Sequence, residues 1–339
     1  MCLTATKIGI IGASGYTGLE LIKLVLAHPS FELSYVSTST GGMKLSELHP
    51  SLLGVHECNV VKADALSASK ACDLVFLALP HKTAMVYVKE LMKTEVKVVD
   101  LSADYRLTQE RYEENYCPHI DADNLTKSVY GLPELYRDEI KTAQLVANPG
   151  CYPTSAILGI LPFVEYIKEG SDIIVDAKSG VSGAGKKLSE STHFVNINDN
   201  MYAYNPFQHR HGPEIFEKLS FKTDKKFTVN FVPHLVPITR GMISSVYLSL
   251  DSEIDAETVL SKYYENEKLV RVRSNPVDMK TVAGTNFCDI YVKRSGSLLF
   301  ISSAIDNLLR GASSQAMANA NLMCGYEETY GLPILAYVP

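Results

Sequence analysis

Apolar positions change period repeatedly through the first half of the chain. Lys7 to Gly12 is nearly all apolar, as in a strand buried on both faces. Tyr16 to Ala27 then sets Leu19, Ile22 and Leu26 on one side of a helix. Phe31 to Ser37 alternates as a strand, with the polar turn taken to begin after Val36. Asp73 to Leu79 is a buried strand ended by Pro80. Thr83 to Met92 has helical spacing, and Val96 to Leu101 returns to strand. Repeated strand–helix–strand units predict a parallel sheet with right-handed crossovers.

The second half reads differently. Asp172 to Lys178, Lys226 to Val232, Gly241 to Leu250, Phe287 to Lys293 and Leu298 to Ala304 alternate as strands with few helices between them. Such a run predicts an α+β domain with a mainly antiparallel sheet. Asp306 to Leu322 resumes helical spacing, with Leu309, Ala312, Ala316 and Ala320 on one small-residue face. At 339 residues the chain is long enough for about two domains.

Bulk composition narrows the function. Hydrophobic residues make up 46% and the formal net charge is −6, which suits a well-packed chain and gives nucleic acid no global attraction. No apolar run reaches the ~18 residues of a membrane span. The start lacks a secretory pattern, and the seven cysteines, odd in number and unpaired in spacing, fit a reducing cytoplasm. Among the histidines only His209 and His211 are close, without ligand partners at metal spacing, so no metal is expected.

Three stretches carry candidate chemistry. Gly12-Ala13-Ser14-Gly15-Tyr16-Thr17-Gly18 lies between the first strand and helix, a G-x-x-G-x-x-G variant of the dinucleotide fingerprint. After the second strand come Ser37-Thr38-Ser39-Thr40 and Lys44 with no acid between, which favours a 2′-phosphate, hence NADP(H), over a free ribose diol. Asn148-Pro149-Gly150-Cys151-Tyr152-Pro153-Thr154 puts Cys151 between a turn and an apolar helix. A helix N-terminus stabilises a thiolate, the form that attacks carbonyl carbon; the alternative is a small buried cysteine.

Further candidates are more equivocal. Gly180-Val181-Ser182-Gly183-Ala184-Gly185-Lys186 could bring backbone close to a ligand or be a plain turn. His209-Arg210-His211 precedes a helix starting near Pro213. If the segment is extended, both histidines face one way, one as acid/base and one in support; the alternative is two solvated loop histidines. Arg106, beyond the Val96–Leu101 strand, and Arg240, in Pro237-Ile238-Thr239-Arg240-Gly241, could grip carboxylate or phosphate, or be surface ion pairs.

As an ordered set these stretches resemble N-acetyl-gamma-glutamyl-phosphate reductase, across essentially the whole length. The set adds Leu79-Pro80-His81, Asp100 to Arg106, Tyr130 to Glu134, Pro233 to Pro237 and Asp306-Asn307-Leu308. It departs at Gly311-Ala312-Ser313-Ser314-Gln315-Ala316, where the family has glycine in place of Ser314. The resemblance implies an aspartate-semialdehyde dehydrogenase-like fold: a Rossmann-type NADP-binding domain over 1–150, an α+β catalytic domain over 151–305, and a C-terminal helix over 306–339 that returns to the first. It implies NADPH-dependent reduction of an acyl phosphate through a Cys151 thioester, with His211, or else His209, as proton donor. It implies Pro80, Ser182, Gly183 and Asn307 near the cofactor, Asn148, Arg106 and Arg240 near the substrate, and a homo-oligomer, dimer or tetramer. A different acyl phosphate (aspartyl, or glutamyl or aminoadipyl on a carrier protein) and a non-catalytic NADP sensor are the alternatives.

Overall fold

A computed structural model describes residues 5–337. Among these, fifteen strands form two sheets, of eight and seven strands. The chain divides into two compact units, one from Met1–Pro149 with Ala312–Leu332, the other from Gly150–Gly311 with Pro333–Pro339, in each case within the described residues.

The first unit holds β1 (Thr6–Ile11), β2 (Phe31–Thr38), β3 (Met43–Lys44), β4 (Asn59–Lys62), β5 (Leu74–Leu77), β6 (Lys97–Asp100), β7 (Val129–Tyr130) and β8 (Leu145–Ala147). They run in the order β3-β4-β2-β1-β5-β6-β8-β7. Every pair is parallel except β3 with β4. Central strands in such sheets are covered on both faces, which is why Leu74 to Leu77 is uniformly apolar and buried. Successive strands leave β1 in opposite directions, β2 on one side and β5 on the other. The crevice beyond the carboxyl ends of β1 and β5 is therefore the switch point where open α/β sheets receive ligands.

Helix Tyr16–Ala27 spans the expected residues, but its buried stripe is Leu21, Ile22, Leu24 and Val25, with Leu19 and Leu26 only half-buried. The apolar stripe is wider than three positions reveal. Helix Ser314–Met323 is buried at all ten positions, not on one small-residue face. It begins well after Asp306, because a π turn over Leu309–Ser313 comes first. The Asp306 carboxylate accepts from the backbone N–H groups of Leu308 and Leu309, at 2.9 and 3.0 Å, and so fixes a turn where periodicity suggested helix. Residues 306–311 thus group with the second unit. So do residues from Pro333, where Asn286 N donates to Pro333 O and Tyr337 N to Ala283 O.

The second unit holds β9 (Ser171–Gly180), β10 (Tyr202–Ala203), β11 (Phe227–Val236), β12 (Met242–Ser249), β13 (Val270–Val272), β14 (Cys288–Ser295) and β15 (Leu298–Ile305), ordered β10-β11-β9-β12-β15-β14-β13. Pairing is antiparallel except β11 with β9 and β13 with β14. This unit is more helical than its strand pattern suggested. Cys151–Ile160 is a helix buried from Tyr152 onward, and His211–Ser220 and Ala256–Tyr263 are helices too.

Candidate active site

In the first unit, Gly15 caps helix Tyr16–Ala27 without any side-chain hydrogen bond, leaving the first-turn N–H groups open to an anion. The three glycines differ in role. A Cβ on Gly12 (φ +97) would lie 2.3 Å from Ala78 O, and one on Gly18 2.6 Å from Gly12 O, so both permit close chain packing. A Cβ on Gly15 would meet nothing within 4 Å, so the space above it is open. A pyrophosphate fits such a cradle. Ser14 is exposed, Tyr16 is 41% exposed and Thr17 is half-buried.

The ribose end differs from expectation. Strand β2 continues through Thr38, and Ser37 is fully buried, its Oγ 3.4 Å from the Ile10 carbonyl. Its own carbonyl accepts from Gly12 N and Ala13 N, both at 3.0 Å. Ser37 therefore shapes the loop through its backbone and does not offer its hydroxyl to a ligand. The strand end was misplaced because Ser37 and Thr38 pair with Val61 and Lys62 of β4, and their hydroxyls are taken up by the Ile10 carbonyl and by Gly41 N. Ser39 and Lys44 are exposed, and a groove of about 470 Å³ is lined by Thr40, Lys44, Glu47, Asn59 and Lys62 among others. Pro80 is exposed beyond β5.

Arg106 is 95% buried and donates to two backbone carbonyls: Nε to Asn148 O at 2.7 Å and Nη2 to Leu101 O at 2.8 Å. Asn148 is held further by Nδ2 to Ala312 O and by Asn319 Nδ2 on its Oδ1, both at 3.1 Å. Beneath them, burial and the Asp104 charge push the Asp100 carboxyl up to about 7, against the pull of Ser102 and Arg106. Arg106 and Asn148 thus hold the segment that leads into Gly150.

In the second unit, Cys151 is the first residue of its helix, with Gly150 as an N-cap lacking a side-chain bond. Gly150 N donates to Glu214 Oε1 at 3.0 Å, and Glu214 is 1% exposed. Tyr152, the next residue, has both histidine rings against its own, at 6.0 Å for His209 and 5.8 Å for His211. The histidine rings lie 4.7 Å apart, but not through an extended segment. Arg210 is α-helical in its backbone, and helix His211–Ser220 begins at His211 itself, before Pro213. His211 N donates to His209 Nδ1 at 3.2 Å. Tyr204 and Phe231 close around His209 at 5.5 and 5.3 Å. That burial, with the Arg210 charge adding, lowers the His209 pKa to about 4. His209 is therefore neutral at neutral pH.

The remaining candidates in this unit meet at Asp306. Gly311 N donates to Asp306 O at 2.9 Å, and a Cβ on Gly311 would stand 2.6 Å from that of Cys151. Arg240 Nη1 is 3.5 Å from Asp306 Oδ2. The neighbouring Asn307 accepts from Gly241 N at 2.8 Å and donates to Ser182 Oγ at 2.9 Å, with Gly183 beside it. Cys151, Arg240 and the Ser182–Gly183 turn thereby gather on the Asp306-Asn307 pair: the Asp306 backbone carbonyl holds Gly311, its carboxylate faces Arg240, and the Asn307 side chain holds Gly241 and Ser182. Glu214, Tyr152, Tyr204 and Gly311 were not singled out from sequence. Tyr152 and Gly311 did lie within the motifs named above, and only their long-range contacts give them a role.

Comparison with known proteins agrees with this layout. Residues 7–143 match the semialdehyde dehydrogenase NAD-binding domain, and 151–307 the semialdehyde dehydrogenase dimerisation domain. N-acetyl-gamma-glutamyl-phosphate reductase of Sulfurimonas denitrificans is 62% identical over 99% of this chain and 100% of its own. That of Wolinella succinogenes is 57% identical over 98% of each. Among solved structures, aspartate semialdehyde dehydrogenase II from Vibrio cholerae superposes with a TM-score of 0.73 at 16% identity, covering 95% of this chain and 99% of that one. The Candida albicans aspartate semialdehyde dehydrogenase with NADP gives 0.72 at 13%, with the same coverage. The chain belongs to the N-acetyl-gamma-glutamyl-phosphate reductase family of the semialdehyde dehydrogenases.

Proposed function

We propose that the protein reduces N-acetyl-L-glutamyl 5-phosphate to the 5-semialdehyde and inorganic phosphate, using NADPH, in arginine biosynthesis. The observation that carries this reading is Cys151 at the first position of a helix whose N-cap is a bare glycine. The positive end of the helix dipole favours its thiolate. The thiolate attacks the acyl carbonyl carbon, the C–O bond to phosphate breaks, and a thioester remains on Cys151. The bound dinucleotide supplies the hydride. On collapse the C–S electron pair returns to sulfur, and His211 gives it a proton. His209, neutral and enclosed, supports the His211 ring. Arg240 anchors the substrate, while Arg106 and Asn148 hold the turn ahead of the nucleophile. Gly15 and Tyr16 present N–H groups to the pyrophosphate; Ser39 and Lys44 receive the 2′-phosphate.

The domain division proposed with this reading is a cofactor-binding domain over 1–150, a catalytic domain over 151–305, and a C-terminal return. Association as a dimer or tetramer is part of the proposal. A cytoplasmic location is proposed with this reading, the six described cysteines being outside any disulfide. No described helix is long and apolar enough to cross a membrane. The test is phosphate-dependent NADP⁺ reduction with N-acetylglutamate semialdehyde against aspartate semialdehyde. Turnover confined to the latter, or absent with both, rejects the substrate assignment.

A further inference from the structure

Four described non-glycine residues have positive φ, and in the first unit Lys82 is the one that does, at φ +73. It sits in a four-residue turn from Pro80 to Thr83, closed by Thr83 N donating to Pro80 O at 3.2 Å. A positive φ at the third position of such a turn is a glycine or asparagine requirement, and lysine there is strained. The strain is held from outside. Lys82 N donates to the buried Asp104 Oδ1 at 2.8 Å, and Ala103 N donates to His81 Nδ1 at 2.9 Å. The turn is thus pinned to the loop that follows β6.

Its place is as telling as its geometry. The turn follows β5, at the switch point of the sheet, and Gly12 of the cofactor loop packs directly on Ala78 at its base. The side chain of Lys82 is exposed, and among the described residues no carboxylate pairs with its ammonium. Strained backbone persists where the surroundings over-determine it, and it gathers at ligand sites. A glycine would satisfy this turn without strain; what lysine adds is a cation.

From this we infer that Lys82 is a phosphate-binding residue beyond the carboxyl end of β5, its ammonium directed by the strained turn at a ligand phosphate. The inference rests on the proposed function for the identity of that phosphate, which is either the pyrophosphate of the dinucleotide or the acyl phosphate of the substrate.

Lys82→Gly tests it cleanly, because glycine accepts the backbone and removes only the side chain. Its melting temperature should equal or exceed the parent's, and Lys82→Asn serves as a second neutral variant for the same turn. NADPH binding is titrated by fluorescence without substrate, and the KM for inorganic phosphate is measured in the oxidative direction. About a tenfold or greater rise in the NADPH Kd, lessened at high salt and restored by Lys82→Arg, assigns the ammonium to the pyrophosphate. The same rise confined to the KM for phosphate assigns it to the substrate. If both neutral variants leave both constants within twofold of the parent, the inference is overturned. If the parent protein itself fails to bind NADPH, it is the proposed function that falls.

Discussion

The backbone N–H of Gly150 is capped by the carboxylate of Glu214 at 3.0 Å, immediately ahead of Cys151. A hydrogen bond to a buried charge contributes about 1.5–3 kcal/mol. Glu214→Ala should therefore lower stability by that order and disorder the turn that presents the thiol. Glu214→Gln, which retains an acceptor, should lose less. Melting temperatures and the pH profile of Cys151 alkylation decide this. Unchanged values in Glu214→Ala would show that the contact positions nothing.

Cys151→Ser should reduce turnover by several orders of magnitude while NADPH still binds, since a serine hydroxyl is scarcely ionised at neutral pH. Near-normal turnover would remove Cys151 from the reaction.

His211→Asn should lower kcat by about 10² to 10⁴ with the fold intact, and His209→Asn by less. The reverse ranking in steady-state kinetics would pass the acid/base role to His209.

Burial holds the His209 pKa near 4, below the ordinary value of about 6.5. As pH falls the unfolded chain takes up this proton first. Stability from this group should be complete above about 6.5, decline between 6.5 and 4, and level off below, by at most roughly 3 kcal/mol. Urea midpoints between pH 7.5 and 4 should slope less in His209→Gln than in the parent. Equal slopes would contradict the buried neutral ring.

Cofactor preference should respond at Ser39 but not usefully at Ser37. Ser39→Asp places a carboxylate on exposed backbone and should shift kcat/KM from NADP towards NAD, tenfold or more by repulsion of the 2′-phosphate. Ser37→Asp buries an unpaired charge and should mainly destabilise the protein. A parent protein that uses both cofactors equally would remove the premise.

The cysteine was legible because its signal is local: Pro149-Gly150 must break the chain, and nine apolar or small residues behind Cys151 must form a buried helix. The parallel and antiparallel halves were legible for the same reason, each strand carrying its own periodicity. Ser37 was misread because a strand's end depends on what its neighbours offer, here the Ile10 carbonyl. The histidine pair was placed side by side for the wrong cause, a turn at Arg210 doing what an extended segment was assumed to do. Glu214 and Gly311 were invisible as partners because their contacts span 64 and 160 positions of chain, and no local pattern encodes such a meeting.

Helix Ser314–Met323, buried at every position in the first unit, comes from almost the last part of the chain. During synthesis the parallel sheet therefore leaves the ribosome without the segment that closes it, and Gly131 O waits for Gln315 and Asn319. The usual order, in which an N-terminal domain completes itself before the next emerges, is denied to this protein. A nascent chain stalled anywhere before Ala312 carries an open apolar seam, and a gene split at residue 149 makes no self-sufficient half.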